Sequence, residues 1–376
     1  MIKVLMVCPR YLPIIGGAEV QCDRLVRELS KIGEVEVRGV VTRRISHGLK
    51  KKEVVNGVEV SRLPPFGIGV FSDYIFCVIL FFYLLAKRNE FDIVHCHASA
   101  IFGVSVSLAA WIIGKKSVLK VSTNGEVSNI KNNKLKYRII NLLSTRTNYV
   151  SLNKEGYDEV KAVLQFANVK TIPNGIEYKK LDIDLEQSIE IRQKLKNNFG
   201  PDVVIGIFVG RLVKRKGIND LLITFKKLNV QYGNKFILLV VGGNSLQRDA
   251  ESITDIPDNF VLLGEQNNVF PYLLASDYFV SPSYNEGLPN TVLEALACGI
   301  PCILSDIRPH QELKCEHSDA IELFKLGSID ELLKRIIDTC SYHGEYSSFL
   351  AEKYKISNVA MKYVDFYTKL KNSRVI

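Results

Sequence analysis

The sequence predicts an α/β chain made of two doubly wound halves that face each other across a central cleft, and three observations carry that prediction. Strand-length apolar runs alternate with helix-length segments along the chain, the pattern of parallel sheets covered on both faces. The alternation restarts after a Pro173-Asn174-Gly175 turn. The length of 376 residues, 47% of them hydrophobic, suffices for two cores of common domain size.

In order along the first half, residues 2–8 form an apolar first strand. They run straight into Pro9-Arg10-Tyr11 without a small-residue cleavage pattern, so no signal peptide is expected. A helix follows at 18–32, strands at 35–41 and 58–63, and a helix at 73–87. Inside that helix residues 74–86 make the longest apolar run, 13 residues against the roughly 20 that a membrane span needs. A buried or membrane-touching helix is therefore expected there. A strand at 93–97, a helix at 100–113, strands at 117–122 and 148–152 with a helix between them, and a short strand at 169–176 complete the half.

The second half opens its own sheet at 203–209 and continues with strands at 236–241, 261–263, 278–281 and 301–304. Val359, Tyr363, Phe366 and Leu370 recur at helical spacing and predict a closing helix over 356–370.

Lys and Arg exceed Asp and Glu by 49 to 40, and the first half holds the whole excess. Residues 1–175 contain 25 against 14, residues 176–376 contain 24 against 26. The basic clusters at Arg43, Arg44, Lys50, Lys51 and Lys52 and at Lys131, Lys134, Lys136 and Arg138 suit anionic lipid head groups or a phosphorylated acceptor, and equally suit solvated loops. No nucleic-acid-binding motif accompanies them. The eight scattered cysteines lie mostly in apolar segments and read as reduced core residues; Cys298, Cys302, Cys315 and His317 lack the paired spacing of a metal site.

The most informative segment runs from Glu286 to Asp306. Pro289 suits a first helical turn and Gly299 a helix end, so Glu286 falls on a loop and Glu294 on the helix behind it. Carboxylates accept hydrogen bonds from sugar and ribose hydroxyls, while a helix start favours a phosphate. The helix joins two consecutive strands, where ligands of parallel sheets bind. Upstream, Gly210-Arg211-Leu-Val-Lys-Arg-Lys216-Gly217 places cations between a strand and a helix; Arg211 can grip two phosphate oxygens and Lys216 adds a point charge. Near the start, Gly16 and Gly17 let backbone approach a ligand at another helix start. His95 and His97 end a strand on one face, with one of them free to be a packed core residue. Asp182-Ile-Asp184 spells D-x-D, but in an acidic stretch read as linker.

With Pro282-Ser283 before it and Leu293-Glu294-Ala295 and Gly299-Ile-Pro301 within it, this segment resembles the signature PS-x-x-EG-x-P-x-x-x-LEA-x-A-x-G-x-P of the retaining glycosyltransferases of family 4. The resemblance implies the GT-B architecture: an acceptor-side Rossmann-like domain at 1–176, a nucleotide-sugar-binding one at 177–355, and a terminal helix at about 356–376 packing back on the first. It implies retaining, metal-independent transfer of a hexose-type sugar from a nucleoside diphosphate to a hydroxyl of a glycan or lipid-linked acceptor. Neither a cofactor nor nucleic acid is expected to take part. The donor site would comprise Gly16, Gly17, Gly210, Arg211, Lys216, Glu286, Gly287, Leu288 and Glu294. Glu294 would hold the ribose and Glu286 the sugar hydroxyls, with His97, Glu286, Arg211 and Lys216 acting in the reaction. Asn124 stands where many relatives have histidine, a departure on the acceptor side. Surface-polysaccharide synthesis on the cytoplasmic side, peripheral to the inner membrane face, is the expected setting. A sugar-nucleotide epimerase and an inactive glycan-binding relative are the rival readings.

Overall fold

The computed structural model describes residues 1–14, 16–64, 67, 69–99, 101–123, 125–132, 134–177, 182–243, 255–339 and 350–373. It divides into two compact units, Met1–Glu177 with Glu352–Ile376, and Tyr178–Ala351. Asn124, Cys340 and His343 lie outside the described residues.

The first unit holds an eight-stranded sheet of β1 (Ile2–Val7), β2 (Val35–Arg43), β3 (Lys52–Val55), β4 (Val58–Leu63), β5 (Ile93–Cys96), β6 (Lys116–Lys120), β7 (Thr147–Ser151) and β8 (Asn168–Thr171). The strand order is β3-β4-β2-β1-β5-β6-β7-β8. Every pairing is parallel except β3 with β4, a hairpin closed at Asn56-Gly57, both with positive φ. Sequence reading missed that edge strand, because it is only four residues long and none of them is buried.

Helix α1 (Gly17–Leu29) covers one face of this sheet; α2 (Val70–Ala86), α3 (Ile101–Ile112), α4 (Lys134–Ser144) and α5 (Lys154–Val163) cover the other. The division follows strand alternation: Val4, Met6, Ile93 and Val118 face α1, while Leu5, Val7, Val94 and Leu119 face α2 and α3.

In the second unit α6 (Asp182–Phe199) leads into β9 (Val204–Val209), α7 (Ile218–Tyr232), β10 (Phe236–Val241), β11 (Phe260–Gly264), α8 (Phe270–Leu274), β12 (Tyr278–Ser281), α9 (Asn290–Cys298), β13 (Cys302–Ser305), α10 (Arg308–Glu316), β14 (Ile321–Phe324) and α11 (Ile329–Thr339). The sheet is parallel throughout in the order β11-β10-β9-β12-β13-β14. One expectation is corrected here. Asp182-Ile-Asp184 is not linker but the start of α6, and Asp184 is buried, accepting a hydrogen bond from Asn268 Nδ2 at 2.8 Å. Its carboxylate serves packing between helix and loop.

The chain then returns to the first unit through α12 (Ile356–Asn372), which buries Val359, Tyr363, Phe366, Tyr367 and Leu370 beside α1. The Pro173-Asn174-Gly175 turn fixes the start of this helix. Gly175 exchanges hydrogen bonds with the Gln21 side chain at 2.9 and 3.1 Å, and a Cβ on it would stand 2.8 Å from Ile356 Cα.

Candidate active site

In each unit the strand order reverses once, between β1 and β5 in the first and between β9 and β12 in the second. Loops leaving neighbouring strands at such a point diverge to opposite faces and leave a crevice at the carboxyl ends of the strands. The predicted residues fall on those loops, except Glu294, which lies within α9.

In the second unit, Gly210 leaves β9 against Gly242 at the end of β10, where any Cβ on Gly242 would collide with the Gly210 carbonyl. Arg211 is exposed, Leu212 and Val213 are buried, and Lys214–Lys216 form a single 3-10 turn. Gly217, at φ 70°, lies against the Pro282 carbonyl, so the turn after β9 packs directly on the loop after β12. Tyr284 N–H donates to the Arg215 carbonyl at 2.8 Å, locking the two together.

This packing delivers two cations to Glu286. Lys216 Nζ is 2.5 Å from one carboxylate oxygen and Arg215 Nη1 is 3.6 Å from the other. Glu286 is only 6% exposed. Burial pushes its carboxyl group up, but Lys216 and Arg215, with hydrogen bonds from Lys216 and Ser283, outweigh that and hold it at about 2. It is ionised at any physiological pH.

Helix α9 begins after Pro289, which has no side chain to cap it, and ends at Gly299 with φ 75°. Gly287 and Leu288 are buried in the turn before it, and Glu294 sits inside its second turn, 7% exposed. Beneath Glu286 lies His310, fully buried near the start of α10. Its Nδ1 is 2.8 Å from the Ser305 carbonyl, so Nδ1 carries the proton and Nε2 is a lone pair without a partner among the described residues. Burial pushes its imidazole down to about 4.

In the first unit, β1 and β5 end side by side. Helix α1 starts at Gly16-Gly17, and the Glu19 carboxylate folds back over Gly16 so closely that a Cβ there would collide with it. His97 follows β5, its N–H donating to the Val7 carbonyl at 2.8 Å. Its ring is 3% exposed, and neither ring nitrogen has a partner among the described residues. His95 stacks on it with centroids 4.5 Å apart and bonds through Nδ1 to Tyr367 Oη at 2.7 Å. Burial, then His95 and Lys120, push the His97 imidazole well below its usual value. The loops after β5 and β6 are tied by Glu126, whose carboxylate accepts from the N–H groups of Ser99 and Ser122 at 3.0 and 3.2 Å.

The structure thus gathers Gly210, Arg211, Lys216, Glu286, Gly287, Leu288 and Glu294 around one strand reversal, and Gly16, Gly17 and His97 around the other. Sequence reading ranked Arg215 below Arg211 and passed over Glu19, His310 and Tyr367. Arg215 had a signal in its place beside Lys216, but nothing in the run of three cations Lys214-Arg215-Lys216 tells which two face inward.

The sequence model described as "Glycosyltransferase Family 4" matches residues 15–180, and that described as "Glycosyl transferases group 1" matches residues 188–349. The chain belongs to the group 1 glycosyltransferases of family 4. Among relatives of this family-4 chain, an Escherichia coli UDP-Gal:alpha-D-GlcNAc-diphosphoundecaprenol alpha-1,3-galactosyltransferase is 28% identical over 68% of each chain. The capsular polysaccharide biosynthesis glycosyltransferase CapH of Staphylococcus aureus is 26% identical over 64% of this chain and 66% of its own. Among solved structures, sucrose-phosphate synthase from Thermosynechococcus elongatus superposes with a TM-score of 0.78 at 16% identity, over 98% of this chain and 99% of the other. Anabaena HepE in complex with UDP and glucose does so at 0.72 and 16%, over 98% and 100%. The fold of this glycosyltransferase is GT-B, two parallel-sheet Rossmann-like domains.

Proposed function

We propose that this glycosyltransferase moves a hexose-type sugar from a nucleoside-diphosphate sugar to a hydroxyl of a glycan or lipid-linked acceptor in surface-polysaccharide assembly, with retention and without a metal. The observation that carries the reading is the buried Lys216–Glu286 pair with Arg215 beside it, at the strand reversal and next to the start of α9. A diphosphate entering there meets fixed cations and helix-start amides, which supply the neutralisation that a departing diphosphate requires. As it draws Lys216 toward its oxygens, Glu286 regains lone pairs for the hydroxyls of the donor sugar. Glu294, held rigidly in α9, takes the ribose, and Arg211 on the turn reaches the outer phosphate. The acceptor hydroxyl attacks the anomeric carbon on the face the diphosphate leaves: the new C–O bond forms, the bond to phosphate breaks, and the hydroxyl proton passes to a diphosphate oxygen. His97, neutral, orients the sugar.

HepE's bound UDP and glucose and the E. coli relative's diphosphoundecaprenol-linked acceptor support this choice of donor and acceptor classes. CapH supports the polysaccharide setting. A thermal-shift screen across nucleoside diphosphates tests the donor site, since a ligand that binds the native state raises apparent stability. Incubation with the matching sugar nucleotide, with and without acceptor, tests the reaction. Isomerised donor in the absence of acceptor sinks the transferase reading in favour of an epimerase, and glycan binding without nucleotide affinity sinks catalysis altogether.

A further inference from the structure

The outward side of α2 is apolar where a surface should be polar, and exposed apolar residues of α3 and α4 extend it. Helix α2 has a single charged residue, Asp73, among 17, and that one pairs with Arg43. Its inner side buries Phe76, Leu80 and Leu84 against the sheet. Its outer side exposes Phe71, Tyr74, Val78 and Phe82 to 79, 56, 57 and 62%, spaced by three and four residues and so forming one stripe. Helix α3, packed beside α2, adds exposed Trp111 and Ile112; α4, packed beside α3, adds Ile139 and Leu142. All three helices cover the same sheet face, so their exposed sides make one surface. A helix apolar all round is normally enclosed, and an apolar surface of this extent marks an interaction site.

Charge selects the partner. Between residues 70 and 146 ten Lys and Arg stand against four Asp and Glu. Arg88, Lys131, Lys134, Arg138 and Arg146 are exposed, and the Arg146 guanidinium lies 5.5 Å over the Trp111 ring. Aromatic rings beside exposed cations match the interface of an anionic bilayer, where rings settle at head-group level and Lys and Arg meet lipid phosphates. A second copy of this chain would press like charges together. No described helix is long and apolar enough to cross a membrane, so the contact is peripheral.

We infer that the stripe Phe71, Tyr74, Val78 and Phe82, with Trp111 and the flanking cations, is a docking surface for an anionic lipid bilayer. The surface goes beyond the transfer reaction and stands on its own observations.

Trp111 is the one tryptophan of the chain, so tryptophan fluorescence, excited selectively over tyrosine, reports from this face alone. The purified full-length protein is mixed with vesicles of phosphatidylcholine or of phosphatidylcholine with phosphatidylglycerol, at low and high salt. The expected result is a blue shift and co-flotation with the anionic vesicles that weaken as salt rises. The exposed double variant Phe71→Ser/Phe82→Ser should bind about tenfold more weakly for each ring removed. Lys134→Glu/Arg138→Glu should lose the salt-sensitive part. The nucleoside-diphosphate thermal shift should be unchanged in both variants, which separates a failure here from a failure of the donor-site reading. No shift with anionic vesicles, or equal flotation of wild type and variants, overturns the inference. So does a dimer in sedimentation that the double serine variant dissolves.

Discussion

Tyr367 on the closing helix bonds His95 Nδ1 at 2.7 Å across 272 residues of sequence, and His95 in turn stacks on His97. The last helix of the chain thereby sets the ring that the proposed mechanism aims at the donor sugar. Tyr363 packs on the same imidazole with centroids 5.2 Å apart, so the histidine pair is held on one side by aromatic rings from α12.

Tyr367→Phe keeps the ring and removes the bond. It should cost about 1 kcal/mol of stability in urea unfolding, the net worth of one buried hydrogen bond. Turnover should fall more than the nucleotide-induced thermal shift does. A loss confined to stability, with turnover intact, would remove the positioning role.

Lys216→Ala leaves Glu286 buried with the more distant Arg215 as its nearest cation and the Ser283 hydrogen bond, and removing one partner of a buried pair costs about 3 kcal/mol or more. The folded pKa of Glu286 is depressed, so its stabilising contribution is complete above the usual value of 4.5 and disappears as pH falls from 4.5 to about 2. In the variant the acid-unfolding midpoint should move to higher pH. Adding Glu286→Gln should restore stability but not nucleotide binding; recovery of both would show that neither residue meets the donor.

Gly217→Ala places a side chain at φ 70° with its Cβ 2.9 Å from the Pro282 carbonyl carbon. The left-handed backbone alone costs about 1 to 2 kcal/mol. Calorimetry should show a lowered melting temperature, and the thermal shift with nucleoside diphosphate should shrink because the two loops separate. An unchanged melting curve would mean the turn is not fixed by this contact.

Glu294→Ala should abolish the nucleoside-diphosphate thermal shift while a diphosphate lacking ribose, such as inorganic pyrophosphate, keeps its own effect. Equal loss for both ligands would assign Glu294 to packing of α9 rather than to the ribose.

Three buried imidazoles, His95, His97 and His310, have pKa values pushed down by burial, the first to about 3 and the last to about 4. Each is neutral when folded and takes up a proton on unfolding below its usual value of 6.5. Stability contributed by their neutrality is therefore complete above 6.5 and declines as pH falls below it. Near pH 5 these three sites together should take up about three protons on unfolding. Melting temperatures that stay level between about pH 7 and about pH 5 would contradict this.

Period and punctuation determined much of this protein in one dimension. The strand and helix alternation, the Pro289 start and Gly299 stop of α9, and the helical spacing of Val359, Tyr363, Phe366 and Leu370 are local properties, decided by backbone geometry and burial of one face. They located both sheets and the helices at the site. The tertiary structure alone decided which charges meet. Lys214, Arg215 and Lys216 look alike along the chain, and only the packing of Gly217 on Pro282 turns two of them onto Glu286. Asp182 and Asp184 read as linker until Asn268, 84 residues on, supplied a partner for Asp184. Tyr367 had no reason to be singled out from any other core aromatic until α12 returned to His95. Contacts between residues far apart in sequence leave no period and no spacing, so they become visible only when the sheets have formed and brought their strand ends together.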